Sequence, residues 1–282
     1  MREGRALPYL LLLPSALFLL AFFVWPLAQV TVEAFTAGGA PSLGNFRTMA
    51  AHWKFQQAAQ NTILLAAIIV PTQMVLALAM ASLVMRLGRG REMVLYVLTI
   101  PLGISDLAAG LVWLSILQQN GFLNSAAQAF GLIDQPVNWL NYQNYGFILF
   151  AVVLAEIWRS TAIVLVILVA GMGLIPKEYY EAAEVFGAGP WRRFVKVTLP
   201  LLKPSIQTAL ILRTILAFEV FAVVAALAGT QFPVLVGETY QWQFTLQDHK
   251  VASAYALLIL VISVGITLFY LWALRVREEA RA

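Results

Sequence analysis

Four ionisable side chains stand at about one level inside apolar stretches of this 282-residue chain: Asp106, Glu156, Arg159 and Glu219. Charges are costly in hydrocarbon, so they face a cavity, a partner helix or a solute path. Glu156 and Arg159 are i, i+3 neighbours on one helix face. At ~1.5 Å of rise per residue, Asp106, Arg159 and Glu219 lie roughly 20 Å above the inner ends of their spans, with Glu156 one turn higher. Charges from three helices at one level suit the wall of a solute pathway. The plainer reading is a helix tie, with Arg159 paired to Glu156 or Glu219. Trp158 and Phe218 stand beside these charges, and aromatic rings next to hydrogen-bonding groups suit the mixed faces of a sugar; simple packing is their other reading. Arg213 lies lower in its span and is expected to snorkel towards the headgroups.

Other chemistry is missing. The chain has no cysteine and only two histidines, His52 and His249, which leaves no thiol nucleophile and no spaced metal-ligand set. It contains no Gly-Lys pair, so it cannot build a P-loop phosphate cradle. No H-E-x-x-H or G-x-S-x-G motif occurs either. A process driven by ATP would need a separate ATPase.

The segment with the most distinctive pattern is Glu178 to Pro200, EYYEAAEVFGAGPWRRFVKVTLP. Tyr179, Ala182, Ala183 and Phe186 recur at helical spacing as one apolar stripe, with Glu178, Glu181 and Glu184 off it. Gly187 and Gly189 break that helix and Pro190 starts another, on which Arg192, Arg193 and Lys196 cluster. Two short amphipathic helices joined by a glycine elbow, one acidic and one basic, suit a docking element. The composition equally suits a helix lying on the membrane surface.

These features sit in a chain that is 61% hydrophobic and 11% charged, against about 25% charged in ordinary soluble domains. Runs of ~20 apolar residues mark spanning helices. Six are expected, over residues 6–32, 61–85, 93–117, 146–173, 206–228 and 252–274, in one all-α membrane domain covering 1–282. Pro71 is expected to kink the second, and Pro101, Gly103 and Asp106 interrupt the third. The docking segment falls in the loop 174–205, between the fourth and fifth. Thirteen Lys/Arg residues fall on the side holding both termini and this loop, against only Arg47, Lys54 and Lys250 on the other. That asymmetry puts both termini and the loop in the cytoplasm. It also accounts for the net charge of +4 without nucleic acid.

Glu181-Ala182-Ala183, Gly187 and Val197-Thr198-Leu199-Pro200 resemble the EAA loop of bacterial ABC importer permeases, E-A-A, three residues, G, nine residues, I, any residue, L-P. Every spacing matches, with Val197 in place of Ile. Ala170 to Pro176, Leu212-Arg213-Thr214 through Phe221, and Val251 to Ala254 are similar to segments of maltose-type permeases. An acidic residue at Ala222 and a G-G-P turn near Gly229, both common in that type, are absent. The chain also has no extended C-terminal tail, and the likeness is to the first, maltose-type subunit of a permease pair.

The resemblance implies a type I permease subunit in a bacterial inner membrane. It would work with a second permease, two copies of an ABC ATPase and an extracytoplasmic solute-binding protein, importing a sugar or sugar derivative by alternating access. ATP and magnesium would be used by the ATPase, with no cofactor in this chain. Glu178, Glu181, Ala182, Ala183, Gly187, Leu199 and Pro200 would couple to that ATPase. An importer of polyamines or other small solutes shares the loop, and a proton-driven secondary transporter is the remaining alternative.

Overall fold

The computed structural model describes residues 7–274; Arg2, Arg5, Arg275, Arg277 and Arg281, part of the orientation signal, lie outside the described residues. Five helical stretches are long and apolar enough to cross a membrane: Leu10–Ala34, Phe55–Val84, Tyr142–Gly173, Pro190–Phe218 and His249–Ala273. Two more qualify only as broken pairs, Arg91–Gly103 with Asp106–Ala129, and Ala222–Gln231 with Leu235–Thr245. Taking the first pair as one span gives six in the expected order; taking both gives seven.

The elements, in order, are α1 (Leu7–Leu19) and α2 (Trp25–Ala34), joined by a π-helical turn at Leu20–Val24, then a hairpin of β1 (Thr36–Ala37) and β2 (Ala40–Pro41). There follow α3 (Gly44–Ala51), α4 (Phe55–Val84), α5 (Arg91–Thr99), α6 (Asp106–Leu117), α7 (Phe122–Ala129) and α8 (Tyr145–Gly173). The chain closes with α9 (Lys177–Val185), α10 (Pro190–Arg193), α11 (Leu199–Phe218), α12 (Ala222–Ala228), α13 (Leu235–Tyr240) and α14 (His249–Ala273). The two-residue hairpin is the one departure from an all-α reading among the described residues.

Backbone contacts group the chain into two compact units, each discontinuous in sequence: Met1–Gln57 with Leu235–Val261, and Ala58–Val234 with Ile262–Ala282. In the first, side chains from Leu10 to Gln29 are all exposed. The Asn45 amide ties the hairpin to α2 by donating to the carbonyls of Glu33, Ala34 and Thr36 at 3.0–3.1 Å. Ser253 donates to the Glu33 carboxylate at 3.0 Å.

The second unit is built around α8, in which 15 of 29 residues are buried. Its C-terminal half packs Leu165, Leu168 and Met172 against Met74 and Ala77 of α4 and Leu202 and Ala209 of α11. Its N-terminal half packs Ile148, Val152 and Ala155 against Leu65 and Ile69 of α4 and Val223, Val224 and Leu227 of α12. Alanines at the crossings let the helices approach. At Gly171 even a methyl would be too much: an added Cβ would collide with Ser205 and lie 2.8 Å from Leu202 Cδ1.

α4 is one continuous helix with Pro71 inside it. Two expectations gain detail or change at this level. The third span turns by 94° between its halves. Pro101 stands in the first turn of a 3₁₀ segment at Ile100–Gly103, Ile104 is extended, and Ser105 caps the new helix by accepting from the Ala108 amide at 3.2 Å. The fifth span starts and stops early: it is continuous with the docking loop from Pro190 and ends at Phe218. Residues 222–228 form the separate α12.

Candidate functional site

The elbow is set by backbone hydrogen bonding at the end of α9. Phe186 is the C-cap, Gly187 adopts φ +71°, and the chain then turns back. The Gly187 amide donates to Glu184 at 2.8 Å and the Ala188 amide to Ala183 at 2.9 Å, a Schellman closure that answers the orphan carbonyls. Nothing lies within 4 Å of a Cβ built on Gly187, so the left-handed dihedral, and not crowding, is what calls for glycine. Gly189 is extended and Pro190 opens α10.

α10 is no isolated arm. It passes through a π-helical turn, Phe194–Thr198, into α11 as one helix from Pro190 to Phe218. Pro200 cannot donate to a preceding carbonyl, and the widened turn sits immediately before it. The two arms are joined by an ion pair between Glu184 and Arg193 and by a 3.3 Å hydrogen bond between the Tyr180 and Thr198 hydroxyls. Tyr180 and Ala183 therefore turn inward, while most of the expected stripe faces out. Val185, Phe186 and Trp191 are 85%, 86% and 76% exposed, and Tyr179, Ala182, Glu178 and Glu181 are exposed too. Leu199 is partly covered and Pro200 exposed at the root of α11. Val185, Phe186 and Trp191 thus leave an apolar face of the elbow bare.

The buried charges pair differently from either sequence reading. Arg213 does not snorkel. It is fully enclosed, and its Nη2 donates to Glu156 Oε2 at 2.6 Å while its Nε donates to Gln73 Oε1. Gln73 in turn donates from Nε2 to the Glu156 carbonyl at 2.8 Å, and the Ser160 hydroxyl donates to Glu156 Oε2 at 3.3 Å. α4, α8 and α11 are thereby fastened at one point. Arg213 carries its charge inward because a carboxylate and an amide are there to meet it. Sequence reasoning missed Gln73, an amide in the middle of the apolar run of α4, and misplaced Arg213.

Arg159 pairs with Asp106, in the first turn of α6, and with neither Glu156 nor Glu219. The break in the third span is what delivers Asp106 to this position. Arg159 Nε is buried without a hydrogen-bond partner among the described residues. Glu219 caps the end of α11, exposed and in no ion pair among the described residues. Asp106, Glu156, Arg159, Arg213 and Glu219 border one cavity of about 100 Å³, with Leu216 and residues 220–223 completing its wall. Such a space holds a few waters and falls below the ~300–1,000 Å³ of small-molecule sites. The two aromatic candidates lie elsewhere. Phe218 is buried with Ala66, Val70 and Ala217, and Trp158 stands edge-on to Trp113 at 6.1 Å.

Residues 73–278 match the family model for the binding-protein-dependent transport system inner membrane component. Among relatives, the sulfoquinovosyl glycerol transport system permease SmoG of Agrobacterium fabrum is 31% identical, covering 97% of this chain and 92% of the relative. The trehalose/maltose transport system permease MalF of Thermococcus litoralis is 29% identical over 99% and 96%. A chain in the crystal structure of a bacterial ABC transporter for import of the acidic polysaccharide alginate superposes with a TM-score of 0.85, at 21% identity over 97% and 96%. With the elbow, the spans and a family match over most of its length in agreement, the chain belongs to the binding-protein-dependent inner membrane components, the permease subunits of ABC-type transport systems.

Proposed function

We propose that this chain forms half of the translocation pathway of an ATP-driven importer for a sugar or sugar derivative. The observation that carries this reading is the single helix Pro190–Phe218, about 43 Å long by its 29 residues. It begins in the exposed elbow and ends at the cavity edged by Arg213 and Glu219. A push on the elbow is delivered along a rigid rod to the level of the charges. Glu178, Glu181, Ala182, Ala183, Gly187, Leu199 and Pro200 serve as the coupling segment, seated on the cytoplasmic side with both termini. The partners are a second permease, two copies of an ATPase that consume ATP and magnesium, and an extracytoplasmic solute-binding protein.

Solute passes between the two permeases once the spans rock open, and Asp106, Glu156, Arg159 and Glu219 belong to the pathway's wall or its backing. Trp158 and Phe218 act from behind that wall. The relatives named for sugars and sugar derivatives support this substrate class. The test is uptake of labelled sugars into vesicles holding the full complex. ATP and an intact ATPase should both be required. Uptake driven by a proton gradient without the ATPase would overturn the reading. A cysteine at Glu181 should crosslink to the ATPase, since the chain has no other cysteine; labelling by lipid alone would return the segment to a surface helix.

A further inference from the structure

A second and larger space lies on the inner side of the elbow, an open cleft of about 870 Å³. It runs from the end of α4 and the start of α5 to the end of α8, the first turns of α9 and the start of the long helix. Four cations, Arg86, Arg91, Lys177 and Arg193, and one carboxylate, Glu178, line it. Arg193 is engaged by Glu184, but Arg86, Arg91 and Lys177 form no ion pair among the described residues. Between these charges the wall is mixed, with apolar Met85, Met172, Ile175 and Phe194 beside the hydroxyls of Ser82, Tyr180 and Thr198. The cleft therefore offers an anion site with a greasy floor, directly beyond the ends of the apolar helices α4 and α8.

We propose that this cleft binds the phosphodiester headgroup of an anionic phospholipid from the cytoplasmic leaflet, and that the bound lipid steadies the coupling elbow. This rests on the orientation given under Proposed function. Basic pockets between spans on the cytoplasmic side attract anionic headgroups, each Lys or Arg adding to the pull. A lipid suits the site better than a free phosphate because only an amphiphile satisfies both kinds of wall. It suits better than an acidic segment of the ATPase because Val185, Phe186 and Trp191, the exposed contact face, are not among the lining residues. Arg86 lies on the α4–α5 connection, Arg91 opens α5 and Lys177 opens α9, so one headgroup bridges the elbow to the membrane core.

The test places the whole importer in nanodiscs of phosphatidylcholine, with or without phosphatidylglycerol. The number of retained phosphatidylglycerol molecules is read by native mass spectrometry, and solute-stimulated ATP hydrolysis is measured in parallel. Phosphatidylglycerol should be retained by the wild type and should raise its hydrolysis severalfold. Arg86→Gln with Arg91→Gln and Lys177→Gln should weaken retention by about a hundredfold and abolish the stimulation. Arg86→Lys with Arg91→Lys should keep both, which guards against a folding defect. Equal hydrolysis in the two lipids by a working importer would overturn the proposal. So would restoration of activity in phosphatidylcholine by inorganic phosphate, or a crosslink from Arg86→Cys to the ATPase in both lipids. Absence of solute-stimulated hydrolysis in every lipid would instead strike the import reading itself.

Discussion

Glu156 and Arg159 stand one turn apart on α8, each in an ion pair, and the two pairs differ in almost every physical respect. Glu156 and its partner Arg213 are each 2% exposed, held by Gln73 and Ser160 as well as by one another. Arg159 and its partner Asp106 are 18% and 52% exposed, and the Arg159 Nε has no partner among the described residues. A sealed pair has already paid its desolvation cost and gains nothing from meeting a solute, whereas breaking it strands a charge. An open pair exchanges partners with water and can exchange them with a hydroxyl-rich solute. Two Arg–carboxylate pairs one turn apart thus divide into a sealed fastening and a pair open to solvent, the one proposed above to face the solute.

The largest effect should come from breaking the fastening. Arg213→Leu leaves the Glu156 carboxylate enclosed without its cation, at ~3–5 kcal/mol. The variant is expected to lose thermal stability and assembly with its partners, read as a fall in Tm and in recovered complex. Gly187→Val, remote from both pairs, imposes a left-handed dihedral on a β-branched residue at ~1–2 kcal/mol. It should leave the protein inserted and both pairs intact, yet cut solute-stimulated ATP hydrolysis about tenfold. Unchanged coupling would show that the elbow tolerates bulk. Asp106→Asn should shift stability by less than ~1 kcal/mol while lowering uptake severalfold. Ser160→Ala removes one hydrogen bond from the sealed pair, at ~0.5–1.5 kcal/mol, and uptake per assembled complex should stay level.

The sequence was most legible where short-range rules govern. The spacing around Gly187 and Pro190 announces a helix end and a helix start, and both occur where those residues stand. Residues 146–173 read as a span because a long apolar run has few alternatives, and α8 differs by one residue. The fifth span was harder, because Pro200 and Lys203 look like loop residues when the widened turn before Pro200 cannot be foreseen. The charges were visible as charges, but their pairing was not. Rise per residue assigns a depth on a straight helix, and the turn after Pro101 removes that assumption for Asp106. Arg213 was read as free to reach the headgroups because Gln73, 140 residues earlier, carries no local sign that it faces it. The two units were equally hidden, since each is assembled from distant stretches of chain.

The division between a fastening and a working surface is tested most directly by two double variants measured side by side, Arg213→Leu with Glu156→Leu, and Arg159→Leu with Asp106→Leu. Replacing both members of a sealed pair by apolar groups of similar volume is often close to neutral. Solute uptake per assembled complex should therefore return to near the wild-type level in the first double variant. The second should assemble and bind the ATPase normally, yet transport poorly or with altered solute preference. Full uptake by the second, or a well-assembled first variant that fails to transport, would contradict the account.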